Sequence, residues 1–102
     1  MAFTYSSVNI NNGSGEAGQG TIFEDTFVIV DWNLNINVYE LSFSQATHGG
    51  GSSVLVQTFE LVSSEYREVE CDVIVAATGD VTVQISANPD LRFDGKVVIK
   101  GI

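Results

Sequence analysis

Positive charge is scarce in this sequence: four Lys and Arg stand against 13 Asp and Glu, for a formal net charge of -9. Nucleic acids are bound by clustered cations that displace counterions, and anionic lipid surfaces attract the same clusters. Arg67, Arg92, Lys96 and Lys100 form no such cluster in sequence, so neither nucleic acid nor a membrane surface is an expected partner. A single cysteine, Cys71, excludes an intrachain disulfide. One histidine and one cysteine fall short of the ligands a zinc centre needs. No stretch approaches the ~20 apolar residues of a membrane-spanning helix. Residues 1–7 carry neither the positive charge nor the apolar run of a signal peptide. The chain therefore reads as a complete product of cytoplasmic synthesis, from Met1 to an Ile102 that ends inside a strand.

What is present fits one domain. The 102 residues are 44% apolar and only 17% charged, against about 25% charged for an average soluble domain. A chain of this length buries roughly 65% of its unfolded surface, enough for one modest core. The uncharged surface is left to Ser, Thr, Asn, Gln and Gly, a composition that suits sheets and protein contacts.

Period-two alternation runs through the chain and no helix is predicted. Residues 3–10 alternate loosely, with Phe3 and Tyr5 on one face and Val8 and Ile10 on the other. Residues 11–20 hold four glycines and nothing apolar larger than alanine, which marks a flexible hinge. The chain divides accordingly into an N-terminal strand or arm with its hinge, 1–20, and a body, 21–102.

In the body, 21–32 reads as a strand whose centre, Phe27-Val28-Ile29-Val30, is buried on both faces. Residues 33–45 form a second strand, in which Leu34, Ile36 and Val38 alternate before the phase slips by one to Tyr39, Leu41 and Phe43. A β-bulge at Val38-Tyr39, or a bend between two sheets, accounts for that slip. Residues 46–53 make a flexible loop, 54–61 a strand, and Ser63-Ser64 a turn. Residues 65–77 form one half-buried strand, with Val69, Cys71, Val73, Val75 and Ala77 inward and Glu68, Glu70 and Asp72 outward. Thr78-Gly79-Asp80 turns the chain into Val81, Val83 and Ile85, and Asn88-Pro89-Asp90 ends that strand. Asp94-Gly95 carries the strongest signal for a two-residue hairpin. The expected fold is all-β, an antiparallel β-sandwich or jelly roll of 7–8 short strands.

Candidate chemistry is thin. His48 lies among glycines, a poor place to hold a catalytic imidazole, and reads as a solvated loop residue. Cys71 reads as a buried core thiol. Glu24, Asp25, Asp31, Asp80, Asp90 and Asp94 lie in or near turns where calcium finds oxygens, yet no EF-hand spacing occurs. They read as solubilising turn residues. No catalytic residue, metal or cofactor is assigned, and an enzyme is not expected.

Two functions remain. Exposed rings at Trp32, Tyr39, Tyr5 and Tyr66 would suit a carbohydrate-binding β-sandwich module, although a lone strand-turn Trp more often plugs a core or an interface. The glycine hinge after a short strand, the low charge, the strands apolar on both faces and the abundant Ser, Asn and Thr favour an assembly protein. In these features the whole chain resembles the small accessory β-proteins of tailed-phage virions: capsid decoration or cement proteins, head fibres and tail-completion proteins. The resemblance implies a virion component made in the host cytoplasm, binding neighbouring protein subunits as a homo-oligomer, with a trimer favoured. It implies partner contacts through the N-terminal arm, at Phe3, Tyr5, Val8 and Ile10, with Trp32 as a further contact residue.

Overall fold

The computed structural model describes residues 20–102. Among these residues eight strands form two four-stranded antiparallel sheets. The strands are β1 (Ile22–Phe27), β2 (Asn33–Asn35), β3 (Val38–Phe43), β4 (Val54–Val62), β5 (Glu65–Val69), β6 (Asp72–Val75), β7 (Val81–Ser86) and β8 (Gly95–Gly101). The front sheet has the order β1-β8-β4-β5 and the back sheet β2-β3-β7-β6. Three hairpins, β2–β3, β4–β5 and β6–β7, keep consecutive strands side by side. The chain changes sheet between them.

The core lies where the two inner faces meet. It joins Phe27, Trp32, Leu41, Phe43, Val81, Val83, Val97 and Ile99. Strands β1, β3, β4, β7 and β8 contribute alternate residues to this layer, as the pleat requires. One end is plugged by three rings: Phe27, Trp32 and Phe93 have centroids 5.3 to 5.5 Å apart. The Trp32 indole donates its one N–H to the Phe93 carbonyl at 3.0 Å, so the ring is buried without stranding a donor.

The strand boundaries differ from those the alternation predicts in three places. The phase slip in 33–45 is neither a bulge nor a bend but a two-residue hairpin turn, Ile36-Asn37, between Asn35 and its partner Val38. Residues 65–77 are two strands: the chain leaves the front sheet after Val69 and enters the back sheet at Asp72. Strand β1 stops at Phe27, and the run after it is exposed at Val28, Ile29 and Val30, not buried on both faces. Those residues lead into and begin a single 3-10 turn, Ile29–Asp31.

Asp94-Gly95 makes no hairpin. Gly95 opens β8, and a Cβ there would fall on the Phe59 carbonyl of β4. Glycine is needed at this point for close approach, not for a turn.

The loop 46–53 also departs from its reading, because its start belongs to a one-turn helix, α1 (Gln45–His48). Ser44 caps it, its hydroxyl accepting from the Thr47 N–H at 3.2 Å, and Gly49 closes it in the left-handed region at φ 67°. The turn at Ser63-Ser64 is as expected. Both residues have positive φ, 51° and 70°, the requirement of a type I′ hairpin.

Candidate interaction surface

Among the described residues, those singled out in the sequence do not gather into a pocket. Trp32 belongs to the core and is only 4% exposed, so it offers no surface to a partner. Phe3, Tyr5, Val8 and Ile10 lie outside the described residues. Among the rings weighed for sugar stacking, Tyr39 lies under the Arg92 guanidinium, 4.4 Å from its centroid. Tyr66 is exposed, with the Lys96 ammonium 4.5 Å from its centroid.

His48 is the largest departure from expectation. It is 2% exposed and fully bonded rather than solvated. The Gly50 N–H donates to Nδ1 at 2.9 Å, so Nδ1 carries no proton, and Nε2 donates to the Gly79 carbonyl at 2.7 Å. The ring staples α1 to the turn between β6 and β7. Both nitrogens are committed to the backbone, which leaves none for catalysis.

Cys71 is half-buried against the core at the crossing between sheets. Burial pushes its thiol above the ordinary value, and the neighbouring Asp72 carboxylate pushes it further, against a lowering by the Thr58 hydroxyl. That hydroxyl donates more closely to the Val69 carbonyl, at 2.7 Å against 3.5 Å to the sulfur. The group is a thiol rather than a thiolate at neutral pH, a weak nucleophile.

The turn carboxylates serve the backbone. Asp31 accepts from the Val28 N–H at 2.8 Å, Asp94 from the Ile29 N–H at 2.9 Å and Asp80 from the Gln45 N–H at 2.8 Å. Asp90 grips Arg92, whose guanidinium holds that carboxyl below the usual carboxylate range. Among the described residues no group of three or more His, Cys, Asp and Glu is placed to hold a metal ion. No helix among them is long and apolar enough to cross a membrane.

What the described surface does present is apolar side chains on rigid supports. Along the edge formed by residues 28–36, Val30 is 81% exposed, Leu34 62% and Ile36 84%. Val30 rides on the 3-10 turn that Asp31 and Asp94 tie down. Leu34 lies in β2, a strand of three residues that among the described residues pairs only with β3.

Ile36 occupies the tip of the β2–β3 hairpin at φ 59°. For a β-branched residue that backbone is an outlier. The tip is held: the Ala87 N–H donates to the Asn37 carbonyl at 3.1 Å. Beside it Glu40 accepts from the Asn35 and Gln84 amides at 3.2 and 2.6 Å.

The sequence pattern hides this edge because Leu34 and Ile36 read as one face of a single long strand. The signal that marks it is Asn35-Ile36-Asn37, an apolar residue between two turn-forming asparagines. No family model matches the chain, and no curated protein or solved structure matches it either.

Proposed function

We propose that this protein is a non-catalytic structural component that binds neighbouring protein subunits of a larger assembly, through the edge carrying Val30, Leu34 and Ile36. The reading fits a small accessory protein of a tailed-phage virion, made in the host cytoplasm and carried into the particle. It works as a homo-oligomer, with a trimer favoured. The observation that carries it is Ile36, an exposed isoleucine held in a left-handed backbone that costs roughly 1–2 kcal/mol. Contiguous exposed apolar patches mark contact surfaces, and strain of this kind persists where something else depends on it.

The test is the solution mass by light scattering, on the full chain and on the triple variant Val30→Ser, Leu34→Ser, Ile36→Asn. The expected result is an oligomer that becomes a monomer in the variant while its melting temperature holds or rises. Asparagine tolerates positive φ, so the variant loses the contact and not the turn. A full chain that is already monomeric, or a variant of unchanged mass, counts against the reading.

A further inference from the structure

Among the described residues each sheet ends in two edge strands, β1 and β5 in front and β2 and β6 behind. An open edge invites pairing with other strands, and charge or shortness guards against it. Strand β1 carries Glu24 and Asp25, β5 reads Glu65-Tyr66-Arg67-Glu68-Val69, and β2 is three residues long. Strand β6 has only Asp72, at its start. From there Val73, Ile74, Val75, Ala76 and Ala77 run on without a charge, and all five are exposed. In a chain of net charge -9 this is an apolar margin left unguarded.

The register fixes what that margin offers. The Ala76 N–H donates to the Asp80 carbonyl at 2.8 Å. Ala76, and with it Ile74 and Asp72, therefore exchange their backbone hydrogen bonds with the β7 side. The alternate residues, Val73 and Val75, aim their N–H and C=O groups away from β7. Their side chains stand opposite Val83 and Val81, on the core side, yet each is 39% exposed. Ile74 stands opposite Thr82 on the other face and is 50% exposed.

We propose that β6 pairs antiparallel with β6 of a second copy, about a two-fold axis at Ile74. One patch then meets itself, as a two-fold contact requires. The ladder admits this register. Val73 of one copy faces Val75 of the other, and these are the residues whose backbone groups point outward. Four valines meet on the core side, and the two Ile74 side chains meet on the outer face.

The charges select the same register. Asp72 faces Ala76 and Glu70 faces Thr78, so no carboxylate opposes another. An in-register parallel pair would set Asp72 beside Asp72. A slip centred on Val75 would set Glu70 against Asp80, and one centred on Val73 would set Asp72 against Ile74. A single pair of short strands is small against the roughly 1,200–2,000 Å² of a stable complex. The contact therefore forms when the protein is concentrated, as within an assembly, and opens on dilution. It lies at the opposite margin of the back sheet from Leu34 of β2 and does not rest on the contact proposed there.

The experiment is cysteine cross-linking of the concentrated full chain under mild oxidation, in a Cys71→Ser background. At the axis the two copies of residue 74 form a non-hydrogen-bonded pair, with Cα atoms about 4.5 Å apart, within the span of a disulfide. The Ile74→Cys variant is expected to run as a disulfide-linked dimer. Thr78→Cys, exposed but far from the axis, should stay uncross-linked. A yield for Ile74→Cys no higher than for Thr78→Cys overturns the proposal. A second measurement needs no cysteine. The light-scattering mass of the full chain should climb with concentration, and Ile74→Glu, which sets two carboxylates face to face, should abolish the climb. A mass that does not climb, or a climb that Ile74→Glu leaves unchanged, refutes the pairing. The cross-link should persist when Val30, Leu34 and Ile36 are replaced, so each of the two contacts is read without the other.

Discussion

His48 shows how much one side chain holds in a small domain. Its ring ties the end of α1 to Gly79, and the same turn is fixed from the other side by Asp80 accepting from the Gln45 N–H. Truncation to alanine leaves the Gly79 carbonyl and the Gly50 N–H buried without partners and opens a cavity. His48→Ala is therefore expected to cost about 3 kcal/mol, measured as a lower denaturant midpoint with unchanged slope. A loss under about 0.5 kcal/mol would mean that water replaces the ring. Nothing in Thr47-His48-Gly49 announces this role, because the partners are backbone atoms two and 31 residues away. Gly95 is legible as glycine but not as to purpose. Asp-Gly favours a turn locally, whereas the reason for this glycine is the carbonyl of Phe59, which no local pattern contains. Trp32 reads as both a plug and a contact, and of the two rings that make it a plug Phe27 is near in sequence whereas Phe93 is 61 residues away.

At the level of elements, alternation reports which side chains face the core and is blind to which sheet they come from. By register Val69 stands with Thr58, and Val73 and Val75 stand with Val83 and Val81, so one inward phase runs through the crossing at Glu70-Cys71, although Val73 and Val75 are each 39% exposed. A single strand was the natural reading of that run. The β2–β3 turn was hidden for a related reason: Ile36-Asn37 contains no glycine, and apolar residues continue through it. The β4–β5 turn was visible because Ser63-Ser64 interrupts the apolar pattern, yet serine is not the preferred residue for its geometry. Replacing Ser63-Ser64 with Asn-Gly relieves two positive-φ positions and should stabilise the protein by about 1 kcal/mol. Chemical denaturation checks this through a higher midpoint at unchanged slope. No gain would show that the turn is not strained by its present residues.

Over the whole molecule the dominant electrostatic fact is an excess of nine negative charges. Three ion pairs join the described sheets and turns: Lys96–Glu24 at 3.0 Å, Arg92–Asp90 at 2.8 Å and Arg67–Glu65 at 3.4 Å. Their carboxylates are 47–69% exposed, and pairs so open to water contribute little to stability. Repulsion among the remaining carboxylates is spread over the surface and acts at longer range, so screening removes more repulsion than attraction. Raising NaCl from 0.01 M to 1 M shortens the Debye length from about 30 Å to about 3 Å and should raise the melting temperature by several degrees. The comparison belongs at pH 7, where the Arg92–Asp90 pair is complete. Asp90 is held below its ordinary value, so its contribution is fully present above that value of 3.8 and is lost as the pH falls through the lower folded one. A melting temperature that falls with salt would mean that the three pairs outweigh the net charge. The acidic surface would then be organised for attraction within the molecule, with each carboxylate placed to favour a cation rather than merely spread over the surface.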